Sequence, residues 1–401
     1  MTETDIVKKT ELETLATFKK EVPSIDFHHK DDESFEKFIK ITEKTYRECF
    51  KFPPKMFSNT ELIDFGAGTG HNTICLANWG AKCTLVELSD RSSGISKEVF
   101  KLRAKNFENH RFVNSSIFDY EEKNKLYDIV HCRGVLSHTA AKEKAFKKIC
   151  SFLKKGGYLI FGDPNKAGGF QNMLQRYALY NFSENDEQIV SNSEMLFKDD
   201  IDRSQNAVPR TRNEIIYDRW VIQSQDDPSF EEVNKWLIES GLKIYSSFPN
   251  LPEFLYTDSY YNNQRQDLSK TKNISILAEI LWMMKTEDDL KDIKNIENDL
   301  SKLSENFAKL TSYVANCNKQ TKIDTKEFFL ISDNLIKEIE NLGFINNLKN
   351  KLKVFVGESK QLIELVNNKK IKDVENFINN CSTLFKGPCG VRHVDFIAYK
   401  N

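Results

Sequence analysis

A short apolar stretch that ends in three alternating glycines, Glu61-Leu-Ile-Asp-Phe-Gly-Ala-Gly-Thr-Gly70, constrains the fold more than any other segment of this chain. Leu62, Ile63 and Phe65 read as a buried strand that runs into a tight turn. Gly66, Gly68 and Gly70 have no Cβ, so the chain can turn sharply there and a ligand can approach the backbone. Thr84-Leu-Val-Glu87 follows as a second apolar run with a carboxylate at its tip. An acid in that position accepts both hydroxyls of a ribose in doubly wound folds. Together the two segments predict a parallel sheet that carries an adenosine-type cofactor.

The spacing decides which cofactor. A dinucleotide fingerprint, G-x-G-x-x-G, needs glycine at the sixth position from Gly66, where this chain has His71. The chain has G-x-G-x-G instead, preceded by Asp64 inside the strand. That pattern resembles the first motif of class I S-adenosylmethionine-dependent methyltransferases. Phe112-Val-Asn-Ser-Ser-Ile-Phe-Asp119 resembles the segment after the third strand that holds adenine in this family. Tyr127-Asp-Ile-Val-His-Cys-Arg-Gly-Val-Leu-Ser-His-Thr139 resembles the fourth strand and following loop of its small-molecule branch, which commonly ends G-V-L-H-H-T. The likeness covers residues 56–165 closely and 215–250 loosely. The chain departs from it at Ser116, where most members have an acid, and at Ser137, where the first of two histidines is expected.

The resemblance implies S-adenosylmethionine as cofactor and S-adenosylhomocysteine as product. It places Asp64 near the ammonium group, directly or through water, and makes Gly66, Ala67, Gly68, Thr69 and Gly70 the cofactor turn. Glu87 and Leu88 are the next contacts, with Ser116 and Ile117 at the adenine and Asp119 as a fallback partner. Cys132 and Arg133, at the carboxyl end of the fourth strand, face cofactor or acceptor. His138 is a candidate general base, since its unperturbed pKa lies near working pH; the plainer reading is a histidine that packs beside the cofactor. Asp163 is the second catalytic candidate, although Asp163-Pro-Asn165 is also ordinary turn chemistry. Alignment alone lowers the barrier to an in-line displacement by up to roughly 7–11 kcal/mol, so no single catalytic residue is indispensable. Tyr217-Asp-Arg-Trp220 is expected to line the acceptor pocket, and Arg210, Arg212 and Arg219 are either anion contacts or solvated surface.

Beyond the motifs, apolar runs alternate between strand and helix patterns, as an α/β sheet requires. Strands are predicted at 61–65, 82–87, 111–115, 127–132 and 157–162, and helices at 71–79, 92–106 and 140–154. The last helix is expected to stop at Lys154-Lys155-Gly156-Gly157. The predicted fold is a doubly wound, seven-stranded, mostly parallel α/β sheet of Rossmann-like type. An N-terminal helical cap (1–55, with His28-His29 in its loop) precedes the methyltransferase domain (56–250). Within that domain, 163–228 reads as a less regular lid over the acceptor, with a helix at 170–181. Residues 251–386 form a helical module inserted before the last strand, with Ile293, Ile296, Leu300, Leu303 and Phe307 at helical spacing and a coiled-coil-like hairpin as the simplest form. Residues 387–401 supply the final strand, which pairs with 242–248 as an antiparallel hairpin.

At 401 residues, 39% hydrophobic and 11% aromatic, the chain can bury a large core. Its net charge of −1 gives no global footprint for nucleic acid or an anionic membrane. Eight scattered cysteines without C-x-x-C pairs suit reduced, buried thiols and imply no metal site. No signal peptide and no run of membrane-spanning length is evident, so the expected location is the cytoplasm. The function expected is methyl transfer to a small polar acceptor, at oxygen, on a sugar or similar metabolite. The loop after the fourth strand lacks the [DNS]-P-P-[YFW] pattern of base-amino methylation. Two alternatives stand beside it: a tRNA-modifying enzyme that grips RNA with the helical module, and a degenerate scaffold. Self-association through that module is a further expectation.

Overall fold

The computed structural model of the protein describes residues 2–22, 31–207, 210–222, 225–249, 268–286, 300–316, 318–319, 321–342, 346–387 and 392–401. Seven strands, β1 (Glu61–Phe65), β2 (Lys82–Glu87), β3 (Arg111–Asn114), β4 (Tyr127–Arg133), β5 (Leu153–Pro164), β6 (Leu242–Phe248) and β7 (His393–Lys400), form one sheet in the order β3-β2-β1-β4-β5-β7-β6. The pairs from β3 through β5 are parallel, whereas β7 is antiparallel to both β5 and β6. This is the expected Rossmann-like sheet, closed by the expected antiparallel hairpin. The chain direction of travel reverses between β1 and β4, and ligands bind at such a switch point.

The central strands are buried on both faces, which explains their unbroken apolar runs. Ile63, Phe65, Val86, Val130, Leu159 and Phe161 enter one cluster, while Leu62, Leu85, Ile129 and Ile160 enter the other. The split follows the two-residue period of a strand. Before the sheet come α1 (Glu3–Lys20) and α2 (Asp32–Lys44), whose Phe35 and Phe38 pack with Tyr46 and Phe57 on one face. Helices α3 (Thr73–Asn78), α4 (Asp90–Arg103) and α5 (Lys142–Ser151) connect the first five strands.

The helix expected to reach Lys154 stops at Ser151, and Lys154–Gly157 lie inside β5. Tyr127 N donates to Phe152 O at 2.8 Å, and Lys154 Nζ pairs with Asp128 Oδ1 at 2.8 Å, so β4 draws these residues into the sheet. The stretch 163–228 is also more regular than its composition suggests. It contains α6 (Phe170–Phe182), α7 (Asp186–Leu196), α8 (Lys198–Ala207) and α9 (Arg212–Ile216). Every residue of α6 from Phe170 to Tyr180 is buried, so no polar face marks its period. Its polar groups are matched internally, as Gln175 Nε2 is to Asp200 Oδ2 at 2.9 Å.

Helix α10 (Phe230–Glu239), with a Ser229/Glu232 capping box, leads into β6. Between β6 and β7 lie α11 (Leu268–Met284), α12 (Ser301–Ala315), α13 (Thr325–Glu340), α14 (Asn346–Asn367) and α15 (Ile371–Asn380), a bundle where a simple hairpin was expected. One apolar cluster joins Phe170, Leu174, Tyr177 and Trp220 to Leu277, Leu310, Leu335, Leu352 and Ile363, so both stretches share a core. His28, His29, Ile293, Ile296, Cys317 and Cys389 lie outside the described residues. Among the described residues, no helix is long and apolar enough to cross a membrane.

Candidate active site

Beyond the carboxyl ends of the central strands the crevice deepens into a cavity of ≈ 610 Å³. Gly66, Ala67, Gly68, Glu87 and Leu88 form one wall, and Ser116, Ile117, Arg133 and His138 also face it. Gly66 has φ +69°, and a Cβ there would fall 2.4 Å from Val135 Cγ2. Only glycine therefore lets the turn lie against the loop after β4. Gly68 N donates to Glu87 Oε2 at 2.7 Å, and Ser89 N donates to Oε1 at 2.8 Å. Burial pushes the Glu87 carboxyl up, and these backbone donors pull against that rise. Each oxygen retains a lone pair, so the carboxylate can still accept hydroxyls from a ribose. The glycine cradle and this acid fit an adenosine-type cofactor.

Five expected contacts, Asp64, Thr69, Gly70, Cys132 and Asp163, lie behind the wall. Asp64, placed near the ammonium group by the sequence, instead accepts from Thr73 Oγ1, and its other oxygen lies 2.7 Å from His131 Nδ1. His131 Nε2 is 3.4 Å from Tyr46 OH, so the buried acid ties β1, β4 and α3 together. Cys132 is fully buried among apolar side chains, and burial pushes its thiol well up. Asp163 accepts from Ser137 N at 3.1 Å and Ser137 Oγ at 2.8 Å. Burial raises its carboxyl to about 6. Thr69 Oγ1 turns to His71 Nδ1 at 3.1 Å, and Gly70 (φ +77°) packs against Ser96 of α4; His71 itself reaches the wall.

The acceptor side is assembled from distant segments. The 3₁₀ turn Leu136–His138 presents His138, edge-on to Phe18 of α1 at 6.4 Å between centroids. Asn165 caps its own turn through Ala167 N at 2.9 Å, which is the structural reading of Asp-Pro-Asn. Of the arginines, Arg212 pairs with Glu194 and Asp202 and Arg219 with Asp200, while Arg210 reaches the cavity with Asp218. Tyr217 and Trp220 are not in the wall.

Sequence reading missed two groups. The first is Glu11, Thr14 and Phe18, which share one face of α1 at i, i+3, i+7 spacing. Ser116 Oγ donates to Glu11 Oε1, so a carboxylate does stand where the chain lacks its own. Burial raises the Glu11 carboxyl. The second is Arg392, His393 and Asp395 at the start of β7. Arg133 Nε donates to Asp395 Oδ1 at 2.7 Å. Burial works to raise Asp395, and Arg133 with His393 outweighs it, holding the carboxyl below its usual range.

Residues 40–214 match a family described as a methyltransferase domain. Among curated proteins, a ubiquinone biosynthesis O-methyltransferase of Nitrosomonas europaea is 27% identical over 109 residues, 27% of this chain. The chain spans about half, 46%, of that relative. Among solved structures, magnesium protoporphyrin IX methyltransferase of Synechocystis PCC 6803 with bound cofactor is 12% identical, covering 61% of this chain and 88% of that one at a TM-score of 0.34. An N-methyltransferase of Bradyrhizobium japonicum WM9, in complex with S-adenosyl-L-homocysteine, is 15% identical, covering 39% and 75% at a TM-score of 0.29. The glycine turn, Glu87 and His138 thus all lie within residues 40–214, the part of the chain that is similar to a methyltransferase domain.

Proposed function

We propose that the protein transfers a methyl group from S-adenosylmethionine to an oxygen atom of a small polar metabolite. The observation that carries this reading is Glu87, fixed at both oxygens by Gly68 N and Ser89 N on the cavity wall. It would hold the ribose, while the turn at Gly66 and Gly68 passes beneath the cofactor. Leu88 and Ile117 offer apolar faces to the adenine, and Glu11 accepts a hydrogen bond from its amino group. Helix α1 covers the pocket and excludes water through Thr14 and Phe18.

When bound, the cofactor supplies an electrophilic methyl on a sulfonium, whose bonding pair stays on sulfur as the new C–O bond forms. His138 takes the proton released by the acceptor hydroxyl on an imidazole nitrogen. Asp163 is a positioning residue: it grips Ser137 and so sets the turn that carries His138. Asp64 plays the same part for the glycine turn. Transfer at oxygen also agrees with the likeness to an O-methyltransferase. The test is incubation with methyl-labelled S-adenosylmethionine and a metabolite extract, followed by mass spectrometry. Label in a small neutral or acidic compound, as an ether or ester, supports the reading; label in tRNA or in none overturns it.

A further inference from the structure

Three guanidinium groups face the cavity, and two are engaged within the protein. Arg133 pairs with Asp395 at 2.7 Å and Arg210 with Asp218 at 2.9 Å. Arg392 differs. Like that of Arg210 its Nε is buried without a partner, but no carboxylate among the described residues forms an ion pair with its side chain. Asp227 and Asp218 contribute attraction at longer range, opposed by Arg219 and Arg176. Asp218 is engaged by Arg210, and Asp227 Oδ1 by Gln225.

Arg392 is half-buried, and its Nε is neither hydrated nor paired, which is unfavourable for a guanidinium without a counter-ion. Burial accordingly pushes the Arg392 pKa down. Such a group is tolerated where a ligand brings the missing charge, and a carboxylate matches the fork with two parallel hydrogen bonds. The position fits an acceptor and not the adenosine. Arg392 immediately precedes β7, beyond β5 in the sheet, whereas Glu87 ends β2 on the other side of β1. His138 and Pro164 share the cavity with it.

We propose that the methyl acceptor is a small carboxylic acid, a hydroxy acid whose carboxylate pairs with Arg392 while its hydroxyl meets His138. The proposal rests on the methyl-transfer reading above. A monoanion is favoured over a phosphate dianion because the other arginines of the lining, Arg133 and Arg210, are balanced by Asp395 and Asp218.

The test uses the protein saturated with S-adenosylhomocysteine and a panel of probe pairs, among them 4-hydroxybenzoate and 3-hydroxybutyrate with their amides. Calorimetry should find at least one acid bound roughly 30-fold or more tightly than its amide, a preference that Arg392→Gln removes. Acids that bind no better than their amides, or a preference that survives Arg392→Gln, would overturn the proposal. Melting without any acid gives an independent reading. Because the substitution removes an unpaired charge, the variant should melt no lower than the unaltered protein. A clear drop in Tm would show that an internal carboxylate such as Asp227 is the true partner. S-adenosylhomocysteine affinity separates the two levels: it should be unchanged in Arg392→Gln, and its absence in the unaltered protein would sink the methyl-transfer reading itself.

Discussion

The two walls of the cavity are built on different terms. On the β1–β2 side, most of the groups that matter lie within residues 64–89 and satisfy one another: the Gly68 and Ser89 amides on Glu87 and Thr73 on Asp64, with His131 of β4 joining from outside that span. On the β4–β5–β7 side, the wall draws on residues as far apart as Arg133, Arg210 and Arg392, and the last of these has no ion-pair partner among the described residues. A local, self-satisfied wall is complete before any ligand arrives. A dispersed wall with an unmatched charge is completed by what it binds. The difference teaches that the cofactor half is pre-formed, whereas the acceptor half is tuned to its ligand's charge.

The division can be broken in several ways, and the largest effect is expected on the acceptor wall. His138→Ala should lower kcat by about 10²–10⁴ while leaving S-adenosylhomocysteine affinity within a factor of about two, the signature of a base that does not hold the cofactor. Equal losses in affinity and kcat would return His138 to a packing role. On the cofactor wall, Gly66→Val sets a β-branched side chain at φ +69° against Val135. Calorimetry should show binding weakened by roughly a hundredfold or more. Near-normal affinity would mean that the turn does not form the cradle.

Glu11 sharpens the boundary, because it belongs to the cofactor half in function but to the dispersed class in sequence. Glu11→Ala should weaken S-adenosylhomocysteine by about tenfold, in keeping with a lost hydrogen bond to a charged group. It should affect the inosine analogue, which lacks the amino donor, much less. Equal losses for both ligands would make Glu11 merely a clasp for α1. The smallest effect concerns Asp163. Its folded-state pKa of about 6 lies above the ordinary 3.8, so its contribution to stability is present below 3.8 and lost as pH rises through 6. Asp163→Asn cannot ionise, so its Tm should gain on that of the unaltered protein by a few degrees across this window. A gap that stays flat with pH would contradict the assignment.

The same contrast explains what the sequence made legible. The strands β1, β2 and β4 were readable because both faces are buried and the glycines sit where no Cβ fits. Pairing of 393–399 with β6 was readable from its alternation and from the likeness to a family, while its pairing with β5 was not read from the sequence. Helix α6 was readable as a helix at 170–181, close to the observed Phe170–Phe182, whereas its burial on every side was not visible in the sequence. Lys154–Gly157 misled because basic residues before glycine signal a helix stop, while the partner strand that claims them is not visible in the sequence. The sequence placed Asp64, Cys132 and Asp163 in the site, whereas none of the three lines the cavity; a strand's neighbours alternate faces, and the motif does not say which face is which. Glu11 meets Ser116 across 105 positions and Arg392 shares the cavity with His138 across 254, distances over which a single sequence carries no contact information.

The central claim is that Glu87, held by the glycine turn, is where the cofactor is gripped. Isothermal titration of S-adenosylhomocysteine into the unaltered protein and into Glu87→Ala tests it most directly. The unaltered protein should bind one equivalent, and the variant, checked for a retained melting transition, should bind about a hundredfold more weakly. Equal affinity in a folded variant, or no binding by the unaltered protein, would contradict it.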